Sequence, residues 1–352
     1  MQNGYDLMMI RGVIVHRSIL FLALMGCAQM VAARPNFADT LNLGHSIVMV
    51  TTELPSGDNG RGSGVVVSKE YVATNCHVIA NTNGANIAKF RDGYRPIAIK
   101  ANWRRDLCLL KFDPLPFTPL PMRDSSTLQY EEEVFSLGFP AGANVPQPSY
   151  GNIKGKYMYD GSLIVRSDAS FAMGSSGGAL FDEHFNLIGI TTFKSPGHDG
   201  FFYSLPVEWI KELMEAPEVY SLKTQEVPFW ALPLEQRPYF MQVVIPFQNK
   251  EWGTLKGIAN QWIVQEPNSV DAWYFLGVAE EGTGELELAK LHLNKAYQLN
   301  RRDLDAMLAL SRVAFAQKDV MALESLEAPV KDLNQDEGEN IALKIKQLKL
   351  GS

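Results

Sequence analysis

The sequence predicts a multidomain chain in which an all-β double six-stranded barrel is followed by an all-α helical repeat region. Three observations carry this reading. Short apolar runs broken by Gly, Ser and polar turns recur from residue 45 to 215, the rhythm of barrels rather than of helices. A Pro- and aromatic-bearing stretch (Val227-Pro228-Phe229-Trp230, Leu232-Pro233, Arg237-Pro238-Tyr239) then marks a change of composition. From about residue 248 the spacing becomes helical, and Asp271-Ala272-Trp273-Tyr274-Phe275-Leu276-Gly277 recurs 34 positions later as Asp305-Ala306-Met307-Leu308-Ala309-Leu310-Ser311. The expected divisions are a leader over 1–33, a barrel domain over 34–215, a connector over 216–247 and a repeat domain over 248–352.

The strands are read in order. Ile47-Val48-Met49-Val50, Gly64-Val65-Val66-Val67 and Tyr71-Val72-Ala73-Thr74 come first, then Ile97-Ala98-Ile99, Leu107-Cys108-Leu109-Leu110, Val134-Phe135-Ser136-Leu137 and Leu187-Ile188-Gly189-Ile190. After Pro206 the spacing of Val207, Trp209, Ile210, Leu213 and Met214 predicts a helix that closes the domain.

Composition narrows the function classes. With 352 residues, 46% hydrophobic and 20% charged, the chain is ordinary globular material for two or more domains. A net charge of -7 without a long basic run argues against nucleic acid as a partner. No metal-ligand spacing joins His45, His184, His198 and His292, and Cys-x-x-Cys is absent, so neither a metal nor a cofactor is expected. The acidic stretch from Asp332 to Asn340 reads as a solvated loop or fraying segment rather than a cation site.

Arg11, His16 and Arg17 precede the apolar run from Ile19 to Met25, which is secretory-leader architecture. The run is short of the about twenty apolar residues that span a ~30 Å hydrocarbon core. Removal at Val31-Ala32-Ala33 is the preferred reading, giving an exported protein, periplasmic or secreted. Leu24-Met25-Gly26-Cys27 competes as a bacterial lipobox that would make Cys27 a lipid anchor. Cys76 and Cys108 remain, and burial as compact hydrophobes is the default for both. A bridge requires an oxidising compartment and side chains that face each other.

The chemistry starts from Ser176 in Ala172-Met173-Gly174-Ser175-Ser176-Gly177-Gly178-Ala179-Leu180. A nucleophilic hydroxyl needs a tight small-residue turn with backbone N–H groups free to converge on an oxyanion, and the amides of Gly174 and Ser176 are the candidate donors. His77 ends an apolar run, and Asp106 leads Leu107-Cys108-Leu109-Leu110-Lys111. His-Asp-Ser is the chain order of chymotrypsin-type enzymes, whereas subtilisins run Asp-His-Ser and α/β-hydrolases Ser-Asp-His.

Residues 45 to 215 resemble the trypsin-like serine protease domain, closest to its bacterial HtrA (Deg) branch. Gly62-Ser63-Gly64-Val65-Val66-Val67, Thr74-Asn75-Cys76-His77-Val78, Asp106-Leu107-Cys108-Leu109-Leu110-Lys111, Val134-Phe135-Ser136-Leu137-Gly138-Phe139-Pro140, Ser167-Asp168-Ala169-Ser170 and Gly200-Phe201-Phe202-Tyr203-Ser204-Leu205-Pro206 carry the resemblance. Ala172-Met173 stands where that family usually has Asn-Pro, Ser175 where it commonly has Asn, and no PDZ-like carboxylate-binding signature follows. The resemblance implies a serine endopeptidase acting on protein or peptide substrates, with His77 as base, Asp106 as its orienter and Ser176 as nucleophile. It also places Thr191, Thr192, Phe193 and Phe201 around the first substrate pocket, which Phe201 or Phe202 would shorten in favour of small aliphatic side chains. The alternative is a catalytically silent, chaperone-like protein that uses the barrel and repeat surfaces for recognition.

The 34-residue recurrence resembles the tetratricopeptide (TPR) repeat: Trp273, Leu276, Gly277, Ala289, Leu293 and Ala296 fall on its signature positions, and Pro267 matches the Pro that ends a preceding unit. One unit is complete, flanked by a half unit upstream and a weakened one downstream, so a helical surface that recruits a protein partner is expected. A small stabilising helical cap is the competing reading.

Overall fold

The computed structural model describes residues 37–89, 92–197 and 200–350. The leader, Cys27 and His198 lie outside them.

After a short helix α1 (Phe37–Gly44), strands β1 (Ile47–Glu53), β2 (Asn59–Val66) and β3 (Tyr71–Asn75) run into a single helical turn, α2 (Cys76–Ile79). Strands β4 (Gly84–Lys89), β5 (Asp92–Tyr94), β6 (Ala98–Asn102) and β7 (Leu107–Lys111) complete a seven-stranded sheet of order β5-β4-β1-β2-β3-β7-β6. Its inward positions (Val48, Val50, Val66, Val72, Ile87, Ile99, Leu110) form one apolar core. Three-residue β5 is the strand beyond the six expected.

The second half comprises β8 (Glu133–Gly138), β9 (Gln147–Tyr159), β10 (Ser162–Ser167), β11 (Ala179–Asp182), β12 (Leu187–Lys194) and β13 (Phe202–Pro206), which close into a barrel in the order β10-β13-β12-β11-β8-β9. β9 and β10 are joined by the two-residue turn Asp160-Gly161, both residues at positive φ (45° and 84°), the geometry for which Asp-Gly is the favoured pair. α3 (Val207–Met214) follows as expected and buries Val207, Trp209, Ile210 and Leu213.

The chain then passes two 3-10 turns and α4 (Tyr239–Gln242) and α5 (Val244–Gln248) into long helices α6 (Trp252–Gln265), α7 (Val270–Thr283), α8 (Leu286–Leu299), α9 (Leu304–Ala316), α10 (Val320–Leu333) and α11 (Gln335–Leu350). α7 and α9 start 34 positions apart, as do α8 and α10. Three of these four helices are capped alike: the side chains of Ser269, Asp303 and Asp319 accept from the amides of Ala272, Ala306 and Ala322, whereas the Glu285 side chain makes no such bond at the start of α8. The acidic stretch is not a loop. Asp336 and Glu337 sit in the first turn of α11, where negative charge is favourable against the helix dipole.

The helices are not a separate bead. One continuous core runs from Leu137, Phe181 and Tyr203 of the barrel through Phe229 and Phe240 to Trp262, Phe275 and Ala279 of α6 and α7. Tyr157 of β9 stacks on Phe240, centroids 4.4 Å apart. A buried polar cluster reinforces the seam. Asp271 of α7 accepts from the hydroxyls of Tyr157 (2.9 Å) and Tyr130 (3.1 Å), and Arg166 Nη2 of β10 stands 3.7 Å from Asp271 and 3.6 Å from Asp305. The acidic residue that opens each recurring segment is therefore turned toward the same barrel arginine.

Candidate active site

The site is built where the sheet and the barrel face each other. His77 lies in the α2 turn directly after β3, two residues beyond the end of the strand. Asp106 precedes β7 with φ of 60°, a left-handed conformation that Asp tolerates better than most residues, and its N–H donates to Trp103 O. Antiparallel pairing of β3 with β7 sets Asn75 opposite Leu107, which brings these two segments together.

The Asp106 carboxylate is fully buried and accepts the His77 amide on Oδ1 (2.7 Å) and His77 Nδ1 on Oδ2 (2.6 Å). This contact fixes Nδ1 as the protonated nitrogen beside a carboxylate and turns Nε2 outward as the acceptor. A third donor, Trp230 Nε1 from the connector, reaches Oδ2 at 3.0 Å.

Cys76 and Cys108 are joined by a disulfide, with Cα atoms 5.0 Å apart. The default reading of two separate buried thiols is thereby corrected: Thr74 pairs with Cys108 across β3 and β7, and the α2 turn carries Cys76 back over that strand pair. The bridge ties the residue before His77 to the strand that begins beside Asp106.

Ser176 sits in a loop whose shape is set by Gly174 (φ 93°) and Gly177 (φ 85°). A Cβ on Gly177 would stand 2.2 Å from the Ser63 carbonyl, and one on Gly174 would stand 2.6 Å from that of Phe139, so neither position admits a side chain without moving backbone. Ser63 clamps the loop from the sheet side. Its hydroxyl donates to Gly174 O (2.9 Å) and accepts from Phe139 N (2.8 Å), while its amide donates to Ser176 O (2.8 Å). The Met173 carbonyl accepts from Ala141 N at 2.7 Å. Among the described residues the amides of Gly174 and Ser176 donate to no protein acceptor, leaving two N–H groups of one loop available to an oxyanion. The Ser176 hydroxyl donates to Thr192 O at 3.4 Å rather than to His77.

The expected pocket residues divide. Thr191 and Thr192 are buried, the first donating to Ser175 O (2.8 Å), the second donating to Ile190 O and accepting from Asn75 Nδ2 (2.9 Å). Phe193 is buried between Tyr203 and Trp230, stacking on both. Phe201 lies under the Arg166 guanidinium (4.7 Å) and edge-on to Phe247. These side chains therefore support the barrel wall and the seam with the helices. Asp168 accepts the Asn152 amide.

Sequence reasoning passed over Trp230, Asn75 and Ser63 as site residues. The last two stood inside quoted motifs, where a polar residue amid buried strand positions was the signal.

Residues 62–190 match the family model described as the trypsin-like peptidase domain. A probable periplasmic serine endoprotease, DegP-like, from Pseudomonas putida (strain W619) is 27% identical over 167 residues, 44% of this chain and 35% of that protein. The serine protease Do-like HtrA of Bacillus subtilis (strain 168) is 27% identical over 220 residues, 56% of this chain and 46% of that one. Among solved structures, the serine endoprotease from Yersinia pestis matches with a TM-score of 0.46 at 24% identity, covering 52% of this chain and 67% of that one. The matched stretches span 35% and 46% of the lengths of the two curated relatives. Residues 62–190 are thus similar to the trypsin-like peptidase domain, and the chain has relatives among the DegP-like and HtrA proteins.

Proposed function

We propose that the chain is an exported serine endopeptidase that hydrolyses protein or peptide substrates through Ser176, His77 and Asp106. The observation that carries this reading is the buried Asp106 carboxylate held 2.6 Å from His77 Nδ1, beside a glycine-shaped serine loop with two unclaimed amides. For reaction the Ser176 hydroxyl must leave Thr192 O and donate to His77 Nε2. His77 removes that proton as Oγ attacks the scissile carbonyl. The oxyanion is received by the amides of Gly174 and Ser176, and Asp106 holds the imidazolium. His77 then protonates the leaving amine, and water, deprotonated by His77, releases the acyl group and restores the hydroxyl. An apolar leader, a disulfide and periplasmic DegP-like relatives support export. No helix of the described residues is long and apolar enough to cross a membrane.

The helical region, TPR-like by its 34-residue spacing, serves first as a buttress: the shared core and the Asp271 cluster favour this role over a free-standing adaptor. Recruitment of a protein partner would fall to the outward faces of α8 and α10, where Leu288, Leu291 and Met321 are exposed.

A catalytically silent binding protein is the second reading, favoured by the Ser176 hydroxyl's contact with Thr192 rather than His77. Cleavage of a peptide library by the purified mature protein separates the two. Turnover that disappears in Ser176→Ala supports the peptidase, whereas peptide binding without turnover supports the silent protein.

A further inference from the structure

Three donors surround the Asp106 carboxylate, and two of them belong to His77. The third is the indole N–H of Trp230, 124 residues further along the chain and outside the matched peptidase segment. We propose that Trp230 is a positioning residue for the proposed peptidase reaction: its N–H completes the hydrogen bonding of Asp106, and its ring shields the Asp106–His77 pair from water.

A buried ionised carboxylate is an acceptor only and is costly unless its oxygens are bonded. With Trp230 removed, Oδ2 keeps a single donor, His77 Nδ1. The hydroxyl on the adjoining barrel strand offers no replacement, because Thr192 Oγ1 already donates to Ile190 O and accepts from Asn75. The ring has a second role. It stands edge-on to His77 (centroids 5.5 Å, interplanar angle 83°) and stacks on Phe193 (5.6 Å, 17°), filling the angle between imidazole and barrel wall.

The indole is delivered with little freedom. Phe229 beside it is fully buried, donates its amide to Arg104 O at 2.9 Å and stacks on Tyr159 at 4.5 Å. Arg104 lies two residues before Asp106, so the connector is pinned to the loop that presents the carboxylate. Segment 227–231 is thus part of the site, and the seam that anchors the helices also anchors the donor.

Two changes to the full mature chain test this. Trp230→Phe keeps a ring and removes the N–H; replacing Trp230 by 3-benzothienylalanine keeps the bicyclic shape and puts sulfur in place of the N–H. Loss of a hydrogen bond to a charged group predicts a fall in kcat of roughly tenfold to a hundredfold in both, with KM within about twofold of wild type. The low-field proton resonance of the His77–Asp106 hydrogen bond is expected to shift or broaden in both. Wild-type kcat and an unmoved resonance in the benzothienyl protein would overturn the inference, whatever the stability of Trp230→Phe. The inference rests on the peptidase reading, yet the resonance is recorded without substrate. An inactive wild type would therefore sink that reading while leaving the role of Trp230 to be scored by the resonance alone.

Discussion

The Tyr157 hydroxyl donates to Asp271 Oδ1 at 2.9 Å, joining a barrel strand to the first helix of the recurring pair. Asp271 is almost wholly buried, and burial pushes its carboxyl above the usual range although Arg166 and both tyrosine hydroxyls pull it down. Removing one member of such a cluster leaves the others unpaired in a dry site. Asp271→Ala is expected to destabilise the chain by about 3–5 kcal/mol. Chemical denaturation followed by tryptophan fluorescence reads this, and a loss below about 1 kcal/mol would show that the seam is held by its apolar contacts alone.

Asp303, the cap of α9, is raised to about 8 by burial first and by the neighbouring Asp305 and Asp271 charges second. Between the ordinary carboxylate range and pH 8 the folded protein holds a proton that the unfolded chain has released. This group's contribution to stability therefore falls as pH rises through that window and levels off above it. The slope is at most about 1.4 kcal/mol per pH unit. Asp303→Asn keeps a capping oxygen without the charge and is expected to flatten the decline of Tm between pH 6 and 9. Parallel wild-type and variant profiles would contradict the assignment.

The Cys76–Cys108 bridge closes a loop of sequence separation 32, for which chain entropy predicts roughly 3–4 kcal/mol of stabilisation. Cys76→Ala with Cys108→Ala is expected to lower Tm. It should also slow phosphonate labelling, because Cys76 precedes His77 and Cys108 lies two residues past Asp106. Thermal unfolding with and without a strong reductant checks the first expectation. An unchanged Tm on full reduction would refute it.

Gly174 offers a test of the loop itself. A Cβ there would meet Phe139 O at 2.6 Å with φ at 93°, so Gly174→Ala must shift the backbone that presents the two free amides. Its kcat is expected to drop about a hundredfold with a smaller change in Tm, the scale seen when an oxyanion donor is lost. Wild-type kcat in this variant would remove Gly174 from the site.

Much of the barrel, and the motifs that present His77, Asp106 and Ser176, were legible because their signals are local. Thr-Asn-Cys-His-Val, Asp-Leu-Cys-Leu-Leu-Lys and Gly-Ser-Ser-Gly-Gly each set a strand end or tight turn within a few residues. The disulfide was not legible, since two cysteines 32 apart meet only when the β3–β7 register is known. Trp230 was hidden for the same reason: it sits in an aperiodic connector, and what fixes it is Phe229 packing on Tyr159. Helical spacing showed that α6 and α7 have apolar faces but not that barrel aromatics would cover them. The start of α11 read as a solvated loop or fraying segment because its first turn is charged, although acidic residues belong at a helix start.

The most direct measurement is the mass of the mature protein after exposure to a fluorophosphonate, with the adduct located by peptide mapping. A single phosphonyl group on Ser176, absent from Ser176→Ala and strongly slowed in His77→Ala, is the predicted result. An unmodified wild-type protein, or an adduct that persists when Ser176 is alanine, would contradict a nucleophilic serine activated by the His77–Asp106 pair.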